Sequence, residues 1–166
     1  MSIVIRDVQP KDKEWIMELN EVNVEVLSPL DDAKYQVFID KSDMFLVAEV
    51  DGQPAGFLVV LREGVEEYKS ENYIWFSNQY DKFLYVDRIV IDENFRRLGI
   101  GRKFYDRVYD RAREEGISTV TVEIDIIPYN EPSLKLHEAV GMKEVGQLVI
   151  RGGEVKVSLE AIELEL

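Results

Sequence analysis

The sequence predicts an α/β (α+β) chain with one mixed sheet and helices on its faces, and three observations carry that expectation. Strand-like and helix-like segments alternate along the chain in the order βααββ, βα, βα, ββ. Asp51-Gly52 separates two apolar runs, 45–50 and 54–61, a strong hairpin signal. The run FLYVDRIVI (83–91) is nearly all apolar, as a central strand buried on both faces would be, and a glycine-bearing turn and an amphipathic helix follow it.

Taken in order, residues 2–7 (SIVIRD) read as the first strand. Pro10 opens a helix with Trp15, Ile16, Leu19 and Val22 at helical spacing. Asp31-Asp32 start a second, with Tyr35, Phe38 and Ile39 as its apolar stripe. The hairpin follows. Residues 62–82 show no clean period, and a loop that long inside a compact domain is usually functional or disordered. Its five aromatics (Tyr68, Tyr73, Trp75, Phe76, Tyr80) argue against disorder, so a folded lid or substrate wall is expected; a loop that merely closes the core is the plainer alternative. After 83–91, Ile100, Phe104, Val108 and Ala112 recur every four residues and mark a helix ending near Gly116. Residues 118–127 form another strand, broken by Pro128 and Asn130, and 132–140 a short helix stopped by Gly141. Two last strands, 142–150 and 154–162, flank a turn at Arg151-Gly152-Gly153.

The chain has 166 residues, enough for one domain (1–166) with a sizeable core. It has no cysteine, which excludes disulfides, thiolate zinc sites and a cysteine nucleophile; with one histidine, no transition-metal site is expected. The N-terminus shows no signal-peptide pattern and no apolar run could span a bilayer, so a cytoplasmic protein without membrane attachment is expected. A net charge of −13 disfavours nucleic acid as a partner and suits a cationic substrate, though an acidic surface also simply keeps a protein soluble. Against that background, residues 94–113 hold seven Lys or Arg and only two Asp. The island begins at Arg96-Arg97-Leu98-Gly99-Ile100-Gly101-Arg102, where a strand ends and a helix begins. Unpaired amides at a helix N-terminus, side-chain-free glycines and mobile cations together suit a phosphate. A P-loop would need Lys-Ser or Lys-Thr where Arg102-Lys103-Phe104 stands, and a dinucleotide fingerprint would need a glycine near Phe104.

At this point the chain resembles the GNAT superfamily of N-acetyltransferases, which move an acetyl group from acetyl-CoA to an amine. The family's pyrophosphate loop reads Gln/Arg-x-x-Gly-x-Gly/Ala, and Arg96 to Gly101 matches it. A second signature, Asn-x-x-(Ser/Ala)-x-x-x-(Tyr/His)-Glu-x-x-Gly-Phe, is met by Asn130, Ser133, His137, Glu138 and Gly141, with Met142 in place of Phe. Residues 47–58 look like the family's second and third strands. The resemblance implies a mostly antiparallel central sheet flanked by about four helices, with a V-shaped opening between the central strands. It implies acetyl-CoA as cosubstrate. The pyrophosphate would sit on Arg96, Arg97, Leu98, Gly99, Ile100, Gly101, Arg102 and Lys103, and the pantetheine arm along the edge of Ile89, Val90 and Ile91. By the same resemblance Asn130 and Ser133 contact that arm, although Asn130 is equally well placed to cap its helix. A homodimer is compatible with the family, though no segment marks an interface.

Amide formation from a thioester needs a proton acceptor for the amine, a donor for the developing oxyanion and a proton for the departing thiolate. His137 stands at the motif position thought to protonate the thiolate, and near its ordinary pKa it could do so; packing alone is its plainer role. Asp87 and Arg88 interrupt an apolar strand, so at least one charge meets a buried face and needs a partner or a wet cleft. Asp87 is the candidate general base, with a structural ion pair as the alternative. Tyr85 lies on the same strand face. Glu123 and Asp125 alternate onto one face of the next strand, where they could bind a cationic amine or relay its proton, and Trp75 could enclose it. Without Cys, or Ser at a nucleophile elbow, direct attack on acetyl-CoA in a ternary complex is expected. The rival is a non-catalytic acyl-CoA-binding or sensing domain.

Overall fold

Seven strands join in one sheet in the computed structural model, which describes residues 1–166. The strands are β1 (Ile3–Asp7), β2 (Met44–Val50), β3 (Gln53–Arg62), β4 (Leu84–Ile91), β5 (Thr119–Ile127), β6 (Lys143–Ile150) and β7 (Val155–Glu163). The helices are α1 (Lys13–Val22), α2 (Asp32–Lys41), α3 (Glu71–Gln79), α4 (Ile100–Glu115) and α5 (Glu131–Ala139). Across the sheet the order is β1-β2-β3-β4-β5-β7-β6, and every neighbouring pair is antiparallel except β4 and β5. This is the expected fold class, with one helix more than expected.

Local chemistry sets the boundaries. Asp51 and Gly52 take φ of 49° and 81°, the left-handed pair that a two-residue hairpin requires. The Asp31 carboxylate accepts from the Lys34 amide at 2.7 Å and caps α2. α4 ends at Gly116 with φ 67°, as its glycine suggests. Within α2, Tyr35 and Phe38 are buried as expected, but Ile39 is 43% exposed and faces outward.

The sheet separates two cores. On one face α1, α2 and α3 pack Ile16, Phe38 and Phe76 against Phe57, Val59 and Tyr85. On the other, α4 packs Ile100, Phe104, Val108 and Ala112 against Leu58, Val60 and Val86, the helical stripe read from the sequence. The stretch 62–82, expected to be a lid or a wall, contains α3, capped by Ser70. Tyr68, Tyr73 and Phe76 are core residues, while Tyr68 and Asn72 also face the cleft described below, so the segment closes the core and walls the site.

Two irregularities create the site. The first is a bulge in β4: Val59 is opposite Arg88 and Val60 opposite Val86, which leaves Asp87 as an extra residue. The expected alternation of Asp87 and Arg88 onto opposite faces therefore fails. Phe83 and Tyr85 lie on the α1–α3 face before the bulge and Val90 lies there after it, so both charges turn towards that side. The second is the brevity of the parallel pairing. β4 and β5 meet only at Leu84–Val120, Tyr85–Thr121 and Val86–Val122. Beyond Val86 the two strands part, β4 staying with β3 and β5 with β7, which is the V-shaped opening.

Candidate active site

A cleft of about 1190 Å³ runs through this opening. One end lies at the start of α4. There Arg97 and Gly99 are left-handed, with φ of 65° and 81°, and the turn delivers the chain into the helix with no side-chain cap. The first intrahelical amide bond is Lys103 N–H to Gly99 O at 3.1 Å, so the amides of Ile100, Gly101 and Arg102 have no partner within the helix. Arg96, Arg97 and Arg102 line the same end and none is in an ion pair. Leu98 and Lys103, expected in this group, lie outside the lining. The two glycines have different reasons. A Cβ on Gly99 would meet nothing within 4 Å, so this glycine answers the positive φ. A Cβ on Gly101 would meet Leu136 Cδ2 at 2.8 Å, so this one answers close packing of α4 on α5 rather than access for a phosphate.

From there the cleft follows Ile89, Val90 and Ile91, whose outer edge lacks a partner strand. On its far wall stands α5. Asn130 caps this helix, accepting from the Ser133 amide at 3.4 Å, and both residues line the cleft. His137 also lines it yet is only 1% exposed. Its Nδ1 lies 2.6 Å from the Ser133 carbonyl oxygen, to which it donates, so Nε2 carries a lone pair and is buried without a partner. Burial pushes its pKa down to about 4, against the pull of that hydrogen bond. The expectation of a histidine near its ordinary pKa is thereby corrected: at neutral pH the imidazole is uncharged and its one proton is engaged.

The middle of the cleft holds the carboxylates. Asp87 is buried, with Oδ1 accepting from Arg88 Nε at 2.6 Å and Oδ2 from the Tyr68 hydroxyl. Arg88 is held further by Asn20 Oδ1 at 2.8 Å and Ser28 Oγ at 2.7 Å. Asp87 is thus the buried ion pair that the sequence offered as the alternative to a free base. Tyr85 shares its face and donates from its hydroxyl to Glu123 Oε2 at 2.6 Å. Glu123 is raised to about 8, first because the protein around its carboxyl excludes water and second because Asp87 is near; the Tyr85 hydrogen bond pulls the other way. Asp125, on the same face of β5, is raised by burial to about 6, and its Oδ2 has no partner.

The structure therefore brings Asp87, Glu123, Asp125 and His137 into one cleft with the basic turn, while Tyr85 lies buried behind Glu123, outside the lining. It does not bring Trp75, which packs on Phe76 and against Gly146 of β6, away from the cleft lining. Tyr68 lines the cleft as one of the aromatics of the expected wall, and Asn72, Lys34 and Arg151 line it without having been given a site role by the sequence. The only available signals were the aromatic content around Tyr68 and a cation beside two glycines at Arg151.

The model of the Acetyltransferase (GNAT) family matches residues 13–142. Among solved structures, Ard1 from Thermoplasma volcanium superposes with a TM-score of 0.81 at 17% identity over 100% of both chains. NAA60 from Arabidopsis thaliana in complex with acetyl-CoA gives 0.76 at 18% identity, covering 98% of this chain and 100% of that one. The ribosomal-protein-S18-alanine N-acetyltransferase from Escherichia coli gives 0.69 at 13% identity, covering 99% and 96%. At such identities these likenesses concern the fold. No helix of the chain is long and apolar enough to cross a membrane.

Proposed function

The chain belongs to the GNAT family of acetyltransferases, and from that premise we propose that residues 1–166 act as one domain that moves the acetyl group of acetyl-CoA to a primary amine by direct attack in a ternary complex. One observation carries this reading. The unpaired edge of β4 and the uncapped, arginine-flanked start of α4 open into one cleft with a carboxyl group of raised pKa. The amides of Ile100, Gly101 and Arg102, with Arg96, Arg97 and Arg102, hold the pyrophosphate. The free edge at Ile89 to Ile91 pairs with the amide groups of the pantetheine arm, with Asn130 and Ser133 on the opposite wall. The thioester then lies at the parting of β4 from β5, within reach of Glu123.

Glu123, rather than Asp87, is the proton acceptor. Asp87 is saturated by Arg88 and Tyr68, whereas Glu123 has a pKa near working pH and one carboxyl oxygen that Tyr85 does not engage. In its ionised form Glu123 takes a proton from the substrate ammonium. The freed amine attacks the thioester carbon, and unpaired backbone N–H groups of β4 stabilise the oxyanion. On collapse the C–S bond breaks and the second nitrogen proton passes to the thiolate. Asp87 and Tyr85 act through Glu123, one raising its pKa and the other fixing its orientation. His137, neutral and hydrogen-bonded to Ser133, holds the wall of the arm's channel.

Titration calorimetry with acetyl-CoA on wild type and Gly99→Glu tests the first half. Wild type is expected to bind at micromolar strength or better, and the folded variant, with bulk and negative charge at the turn, to lose binding. A folded wild type that binds neither acetyl-CoA nor CoA overturns the reading.

A further inference from the structure

Taken alone, the carboxylates at 87, 123 and 125 suit a cationic acceptor. The cations among them change the fit. Lys34, Arg88 and Arg151 line the same part of the cleft, in a chain that is otherwise strongly acidic. Arg88 is spoken for, its charge matched by Asp87 and its N–H groups given to Asn20 and Ser28. The other two are not. Lys34 is half-buried, and its Nζ reaches only the Pro29 carbonyl oxygen, at 3.2 Å. Burial, then the charge of Arg88, lower its pKa; Asp87 and Asp31 oppose this, and Arg151 adds to it. Asp31 is already committed to capping α2. The Arg151 side chain makes no ion pair or hydrogen bond with the protein, although its backbone carbonyl oxygen accepts from the Glu154 amide at 3.3 Å.

The backbone at Arg151 gives a second, independent sign. Arg151, Gly152 and Gly153 have φ of 52°, 66° and 96°. The two glycines adopt this region freely; a long side chain does so only under strain. Glycine would suit the first position as well as the next two, yet an arginine stands there and turns into the cleft. A strained residue with an unpartnered charge in a ligand cleft is kept for what it binds. Its charge reaches both neighbours: Arg151 lowers the pKa of Asp125 and that of Lys34. The cleft thus carries a proton-accepting end at Glu123 and Asp125 and, in the same lining, two cations that form no ion pair.

We infer that the acceptor is a small zwitterion, an amine bearing its own carboxylate or an equivalent monoanion, with Arg151 and Lys34 seating the anion while the amine faces Glu123. This rests on the acetyl-transfer reading above. The guanidinium fork suits a carboxylate in two-point contact, and Lys34 adds a point charge in the same cleft. An acceptor carrying only positive charge would meet the same two cations as a repulsion.

The test uses wild type, Arg151→Gly and Arg151→Lys. Glycine is at ease at this φ, so the first variant removes the guanidinium without threatening the fold. Acetyl-CoA binding is measured first by calorimetry. Free-thiol release is then followed with three matched series: free amino acids, their carboxamides, and diamines of similar length. A carboxamide keeps the amine and loses the anion, and its less basic amine biases the comparison against the inference. Wild type is expected to favour amino acids over their carboxamides by roughly tenfold or more in kcat/KM, mainly through KM. Arg151→Gly should bring that ratio close to one, and Arg151→Lys should recover part of it. If acetyl-CoA binds but carboxamides or diamines match the amino acids, or amino acids are not acetylated, the inference is wrong and the acetyl-transfer reading stands. If acetyl-CoA does not bind, that reading falls and this one with it.

Discussion

Glu123 owes its raised pKa to two neighbours of different kinds, the dry wall of the cleft and the Asp87 charge. Only its ionised form accepts a proton, so kcat/KM of the wild type is expected to climb as pH rises through about 8. Glu123→Gln should lose that rising limb and fall in rate by roughly 10²–10⁴-fold, the usual worth of a positioned base. A pH–rate profile of both proteins checks this, and an unchanged limb in the variant would assign the base elsewhere. At this scale the sequence was legible in parts. Asp87 and Arg88 announce themselves as charges in an apolar strand, and Glu123 and Asp125 as an alternating pair. The protonation states were not legible. The pKa of Glu123 depends on an aspartate from a neighbouring strand, and that of His137 on burial of its ring, and neither appears in a residue's own neighbourhood in the chain.

Among the elements, α4 and α5 meet where Gly101 lies under Leu136. Gly101→Ala should press on the Leu136 methyl groups, which must shift, and should forfeit the roughly 0.5–1 kcal/mol that Gly→Ala normally adds inside a helix, as urea unfolding would measure. In a Leu136→Ala background the same change should forfeit less of it, because the clashing methyl groups are gone. Additive effects in this double-mutant cycle would mean that Gly101 is required for some other reason. α4 could be read from the sequence because four apolar residues at constant spacing run between two glycines, and the structure buries all four. α3 could not. It is nine residues long, its buried positions are Asn72, Tyr73 and Phe76, and a narrow stripe that includes a polar residue has no period to detect. Its one local signal was Ser70, whose hydroxyl caps the helix.

For the molecule as a whole, the parting of β4 and β5 leaves backbone groups open that acetyl-CoA would close, so ligand and fold should be thermodynamically linked. At about one hundred times its Kd, acetyl-CoA should add roughly 2.7 kcal/mol, a rise in Tm of roughly 5–10 °C for a chain of this size. Thermal unfolding with and without ligand measures it, and Gly99→Glu should show no rise. The three-residue parallel pairing behind this opening was visible only through the family resemblance, since no periodicity records where two strands separate. The sheet's two cores add a constraint of another kind. Odd-numbered residues of β4 face α1–α3 before Asp87 and even-numbered ones face them after it, so that one residue switches the parity of the strand. Were Asp87 to pair with β3 as an ordinary strand residue, it would act on the sheet as an inserted letter acts on a reading frame. Ile89, Val90 and Ile91 would each be presented to the wrong core, and the edge that borders the cleft would slip with them. At this point the choice of which residue goes unpaired matters as much as the residues' chemistry, and the strand could keep every side chain of the site and still lose the site by pairing evenly.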